Sequence, residues 1–435
     1  MSNLLFSWAD QVRRNNAIYG IRWSTDVNSD PNGLRLGNLQ LHRTLPIQSL
    51  MKRCVLTDAG TVNYYLHPTD STLKADGTAA DLTGADGQWV VEIPAHWYKE
   101  TQNSLFHTQY FSLIQQSGSG WMFIPRHYVS AGEAALQRST SKLACVINAT
   151  ADYRGGNNTA AWDAAGNTLL AKPATNFTRT QGRTFAANRG AGWIMENPVV
   201  YNAWRRLLFC EYATRNVQLN FTATPTAQGY KQGGLGPGVT NANSTEWSNY
   251  NGYNPFINIG VTTSLGNASG VIDISVPNFG GAGIARTHQV NSYRGIENPW
   301  GHIWKWLDGY NIWAQTVAEG SKTLLYARNQ TTGLADNTSS GYYLVGELSR
   351  TETWVRTMLP LHLFPSVTGG AGSGSTTYWC DYFYTNATSS FGWRAPIVGG
   401  SATYGSYAGP VYVSSHNAAS AATSTFGSRL CFLGA

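Results

Sequence analysis

The chain has 435 residues and a formal net charge of +6; charged residues make up only 12% of it and aromatics another 12%, with 16 Trp. Charge at about half the usual share, combined with so many aromatics, excludes a disordered chain. No Lys/Arg run exceeds a pair (Arg13-Arg14, Lys52-Arg53, Arg205-Arg206), which argues against a nucleic-acid groove.

Met1 to Asn15 carries charges early and lacks the apolar core and small-residue cleavage site of a signal peptide. No stretch approaches the ~18 apolar residues of a membrane span. The expectation is a chain that folds in a cytoplasm and does not insert into a membrane. Its five cysteines (Cys54, Cys145, Cys210, Cys380 and Cys431) are odd in number, widely spaced and free of any CxxC signature. Cys380 and Cys431 would meet only if the C-terminal strands return on themselves, and buried free thiols are the favoured reading.

In chain order, residues 1–120 read as short strands and turns. Val62-Asn-Tyr-Tyr-Leu66 and Trp89-Val-Val-Glu-Ile93 have β-type composition. Asp70 to Gly87 reads as a polar loop, and Gln115 to Gly120 as a boundary. Asp26 to Gly33 has the look of a calcium loop, but Pro31 and Gly37 stand where an EF-hand needs Gly and a carboxylate, so the segment reads as a turn. A first helix is expected over about Thr178 to Asn188, with Thr178 as N-cap and Gly190 at its end. A second is expected over about Pro198 to Arg215, with Asn197 as N-cap and Pro198 at the first position. Its Val200, Tyr201, Trp204, Leu207, Leu208 and Tyr212 recur at helical spacing as a core-facing stripe. Short strands and long loops follow, the loops including Gln232 to Gly252 and Pro277 to Gly283; loops of that length are often functional.

The last seventy residues, Ser366 to Ala435, contain no Lys, Glu, Gln or Met, and only Asp381, Arg394 and Arg429 are charged. Tyr set among Gly, Ser, Thr and Asn is the composition of a recognition surface, because Tyr offers a large amphipathic contact at low entropic cost. It supplies few acids and bases for catalysis. Nine scattered histidines form no zinc pattern, and Gly233 to Gly238 lacks the strand–helix context of a phosphate loop. Asp308 and Asp381 are the one carboxylate pair to weigh for glycoside hydrolysis, with a salt bridge or a cap as the favoured role of each. No cofactor or metal is expected.

Several segments carry a family resemblance. Ala171-Lys-Pro-Ala-Thr-Asn-Phe177 ahead of a helix, Gly192-Trp-Ile-Met-Glu-Asn-Pro198 running to Glu211-Tyr-Ala-Thr-Arg215, Asn298-Pro-Trp-Gly-His-Ile-Trp-Lys-Trp306 with Asp308-Gly-Tyr310, and Arg394 with Gly399-Gly-Ser401 and Phe426-Gly-Ser-Arg-Leu-Cys431 occur in that order. They resemble the sulfatase-modifying-factor family, the formylglycine-generating type of C-type-lectin fold. Trp300, Trp304, Trp306, Arg394 and Arg429 read as fold maintenance within it. The enzymes of that family use a cysteine pair just after the segment matching Gly399 to Ser401. Ala402 to Tyr412 has no cysteine, so the resemblance implies a fold without the oxidase chemistry.

The chain then resembles the variable proteins of diversity-generating retroelements, which are lectin-fold receptor-binding proteins; Leu41 to Gln48 and Asp152 to Asn157 are also similar to phage or prophage tail proteins of that type. In that family, adenine replacement in Asn codons reaches Tyr, Ser, Thr, Ala, His, Phe, Asp and Gly, but not Lys, Glu, Gln, Met or Trp. The missing residue types fit that constraint, and Trp379 and Trp393 fall to the scaffold, with Cys380, Gly399, Gly400, Gly409, Gly427 and Arg429.

The expectation is an α+β, loop-rich, C-type-lectin-like domain with two main helices over 121–435. A smaller, mostly-β region over 1–120 precedes it and serves attachment or assembly. The variable region spans about 376–431. Ligand-facing positions are Tyr378, Tyr382, Phe383, Tyr384, Ser401, Thr403, Tyr404, Tyr407, Ser415, His416, Ser424, Thr425 and Phe426, with about a third of the aromatics expected in the core. The expected partners are a host bacterial surface receptor, glycan or protein, and other tail proteins, in a homotrimer on the virion. The alternatives are an enzyme of the formylglycine-generating or glycan-cleaving kind and a bacterial surface adhesin.

Overall fold

Short strands joined by turns dominate the chain, as its many Gly and β-branched or aromatic runs dictate. The computed structural model describes residues 10–25, 28–164 and 166–434. It is mostly sheet and loop with few helices. Three helices of eight residues or more stand beyond residue 120: α1 (Arg179–Ala187), α2 (Pro198–Tyr212) and α3 (Ser244–Asn251).

The helix ends follow from their caps. Thr178 accepts from the Gln181 amide, and the Gln181 side chain returns to the Thr178 amide, a reciprocal capping box. Asn197 accepts from the amides of Val199 and Val200 at the start of α2. α2 stops three residues short of the expected Arg215, because Ala213 takes a left-handed conformation. Helix α3 lies in the segment read as loop. Asn243 caps it and Gly252 ends it with φ +64°, but its polar composition hides any helical stripe. The expected polar loop from Asp70 likewise opens with a strand, Asp70–Lys74. The turn read over Asp26 to Gly33 lies partly outside the described residues.

Helix α2 is buried on nearly every side. The stripe expected on one face is buried, but so is every other residue except Val199. A helix buried all round must satisfy its polar groups internally. Arg205 donates to the carbonyls of Tyr201, His362, Leu363 and Pro410 and lies 3.5 Å from the centre of the Tyr201 ring. Glu211, also buried, accepts from Arg294 Nε and Nη2 at 2.7–3.1 Å.

Strands from both sides of residue 120 share one sheet. Its order runs Trp193–Met195, Leu430–Phe432, His127–Ser130, Gln88–Ile93, Lys52–Leu56, Val62–His67 and Asp70–Lys74. Val129 lies opposite Cys431 on one side and Val91 on the other. Arg429, fully buried, fastens this closure by donating to the carbonyls of Ser130, Gly132, Glu297 and Asn298. The hydrophobic core is continuous with it and joins Trp23, Trp89 and Tyr98 to Trp204, Trp300 and Trp379.

All five cysteines are free and buried. Trp300, Trp304, Trp306 and Arg429 are buried in the interior, as expected of scaffold, while Arg394 is half-buried and donates to the carbonyls of Phe391 and Trp393. Among the described residues no helix is long and apolar enough to cross a membrane.

Candidate functional site

The second seven-stranded sheet carries the C-terminal region. Its third strand, Tyr382–Tyr384, pairs antiparallel with Thr353–Leu359 and parallel with Val413–Ser414. Side chains alternate across a strand. Phe383 therefore points into the core at 0% exposure, while Tyr382 and Tyr384 share the opposite, half-open face.

Tyr382 is the hinge of an aromatic strip. The Tyr407 ring stacks on it at 4.3 Å between centroids and 22° between planes. Trp354, its partner across the strand pair, meets it edge-on at 5.6 Å and meets Tyr407 at 5.2 Å. Tyr412 lies 6.2 Å behind Tyr382, and Tyr404 and Trp304 continue the chain of rings at 5.4 and 5.1 Å. Tyr412 and Trp304 are buried and form the floor; Tyr407, 41% exposed, is the outermost ring. Tyr384 pairs separately with His416 at 4.7 Å. Offset and edge-on rings of this kind hold one another in place.

The strip is nearly uncharged. Burial raises the phenols of Tyr382 and Tyr404. Burial, then the nearby Arg394, lowers the His416 imidazole, so it is neutral at pH 7. Glu352 sits at the edge, its backbone carbonyl accepting from the Tyr382 hydroxyl at 3.3 Å and its carboxyl raised by partial burial.

The thirteen expected positions divide by burial. Tyr382, Tyr384, Thr403, Tyr404, Tyr407, His416, Ser424 and Thr425 retain exposure. The structure brings Tyr382, Tyr404 and Tyr407 into the strip, and Thr425 lies at its far end, where its carbonyl accepts from the Trp304 amide. The other five are corrected. Phe383 and Phe426 are core, the latter against Trp306 at 5.4 Å. Tyr378 is buried with its ring under Arg356. Ser401 and Ser415 are buried too, Ser415 donating to the Tyr384 carbonyl. A side chain without exposure cannot meet a ligand arriving from outside.

Trp354 and Glu352 belong to the strip and were missed, because they lie before Ser366 and their types are ordinary. Strand alternation opposite Tyr382 is the signal that finds Trp354.

The scaffold glycines have steric reasons. A Cβ on Gly409 would fall 2.1 Å from the Asp381 carboxylate, and one on Gly427 would fall 2.8 Å from the Ala174 carbonyl. Asp381 is wholly buried, accepts from the Val411 amide at 2.7 Å, and has its pKa raised to about 8 by that burial. Asp308 is instead held in a two-pronged pair with Arg183 at 2.7 and 2.8 Å. Both carboxylates thus have structural partners. Among the described residues no group of three His, Cys, Asp or Glu could hold a metal ion.

No family model matches the chain, and no curated protein matches it. Among solved structures, the Major Tropism Determinant U1 Variant is similar at 9% identity and a TM-score of 0.24, over 92% of this chain and 88% of that one. The M1 and I1 Variants of the Major Tropism Determinant are each similar at 11% identity and a TM-score of 0.23, over the same shares. At such identities and TM-scores the likeness carries no argument about what this chain does.

Proposed function

We propose that the protein is a receptor-binding protein of a phage tail, with a C-type-lectin-like domain whose C-terminal surface is diversified by a retroelement and binds a host cell-surface ligand without catalysis. The observation that carries this reading is the aromatic strip of Trp354, Tyr382, Tyr404 and Tyr407, held over a floor of Trp304 and Tyr412. Rigid aromatic anchors that need no ordering on binding supply most of the energy of such a contact. In this reading residues 1–120 meet other tail proteins, the assembly is a homotrimer on the virion, and several copies raise avidity.

The test is binding of the purified chain to a panel of bacterial cells. A folded Tyr382→Ala/Tyr407→Ala variant is expected to lose it, at about 2 kcal/mol per anchor, or roughly thirtyfold in Kd. Unchanged cell binding by the folded variant refutes the assignment. A reverse transcriptase beside the coding sequence, with a near-copy of its 3′ end differing only at adenines, is the independent genetic check.

A further inference from the structure

The turn that presents Tyr407, Gly405–Tyr407, has a second side. There Ser406 borders a cleft of about 470 Å³ lined also by Asn216, Gln218, Asn220, Asn241 and Gln289. None of its thirteen lining residues carries a charge, and five are carboxamides. We propose that this cleft is a binding site for an uncharged, hydroxyl-rich ligand, a neutral saccharide unit of a glycan.

The chemistry of the wall selects the ligand. A carboxamide both donates and accepts, as a sugar hydroxyl does, so the two satisfy each other in either direction. A phosphate, carboxylate or ammonium would leave its charge uncompensated there. The volume lies in the range of small-ligand sites. Leu219 and Pro237 provide an apolar patch for the C–H face of a pyranose ring.

Two of the carboxamides stand at buried or half-buried positions of the wall. Asn216 lines the cleft and is only 6% exposed. Gln289, also of the lining, packs its Oε1 against Gly236, where a Cβ would fall 2.0 Å away, and that buried oxygen has no hydrogen-bond partner among the described residues. Two further carboxamides are fixed. Asn241 is held by the Thr287 carbonyl at 3.0 Å and His288 at 2.7 Å, and Gln218 donates to the Ala408 carbonyl. Carboxamides held in place in this way are what orientation-specific binding needs.

The cleft shares the Gly405–Tyr407 turn with the aromatic strip, but none of the strip's rings lines it, so its test separates the two. The full chain is applied to an array of neutral and acidic oligosaccharides. Binding of one or more neutral glycans is expected, reduced at least tenfold by Asn216→Leu and by Gln289→Leu and kept by Tyr407→Ala. Should either interior variant fail to fold, Ser406→Trp at the exposed rim fills the mouth and is expected to abolish the same binding. Recognition of acidic glycans only, binding of no glycan, or neutral-glycan binding that survives the three cleft variants overturns the assignment. So does neutral-glycan binding lost only in Tyr407→Ala, which places the sugar on the strip.

Discussion

The division of adjacent aromatics between core and surface makes a quantitative prediction. Phe383 and Tyr407 are both large rings of the C-terminal region, and their truncation should have opposite consequences. Phe383 is 0% exposed and packs in the main core with Val355, Trp379 and Val413. Phe383→Ala removes that burial and leaves a cavity, at about 3–5 kcal/mol. Tyr407 is 41% exposed and contributes two ring contacts, to Tyr382 at 4.3 Å and to Trp354 at 5.2 Å. Each such contact contributes about 0.5–1.5 kcal/mol, and water replaces part of it, so Tyr407→Ala should cost about 1 kcal/mol. Urea denaturation followed by Trp fluorescence gives both midpoints in parallel. A loss for Tyr407→Ala equal to or larger than that for Phe383→Ala shows that the strip is core, and the recognition surface goes with it.

Three further outcomes follow from buried groups. Asp381 has a folded-state pKa near 8 against an ordinary 3.8. Its contribution to stability is therefore complete below about pH 4 and is lost as pH rises toward 8. The denaturation midpoint should fall over that window, and Asp381→Asn should flatten the fall; an equally steep profile in the variant assigns the pH dependence elsewhere. Arg294→Leu leaves the Glu211 carboxylate buried without its two-pronged partner, a loss of about 3–5 kcal/mol measured by denaturant; a loss under about 1 kcal/mol means that water reaches Glu211. Thr178→Ala removes half of a capping box and should lower stability by about 1 kcal/mol, whereas Thr184→Ala, in the second turn and outside the cap, tests whether the effect is specific to capping.

Local rules made the helices legible. Thr178 and Asn197 act as caps where Ser/Thr/Asn precede a helical run, and Pro198 opens α2. The strands at Val62 and Gln88 were legible from β-branched and aromatic runs. Helix α3 was not, because Ser244 to Asn251 has no apolar stripe and owes its place to packing, Trp247 being seated against Phe256 at 5.4 Å. Nor was the full burial of α2, because a sequence shows where Arg205 and Glu211 stand but not the carbonyls and the arginine that meet them. The joining of Leu430–Phe432 to His127–Ser130 is a contact across about 300 positions, and no local pattern encodes it.

The same limit governs the site. Residue type alone cannot separate Phe383 from Tyr382, or Phe426 from Tyr407, since all four are reachable from one codon in the family that the chain resembles. What separates them is alternation along a three-residue strand and the position of a single turn. Tyr382 and Tyr384 share a face because they are two residues apart, and Phe383 takes the other because it lies between them. Trp354 joins that face through its register with Tyr382. Diversification confined to exchangeable residue types would thus strike the core as readily as the surface, unless its positions follow the strand alternation. Phe383 and Phe426 should then be constant among variants of this chain while Tyr382, Tyr404 and Tyr407 change. Sequencing of a diversifying population decides the point: substitution at Phe383 as frequent as at Tyr382 means that exposure does not set the pattern.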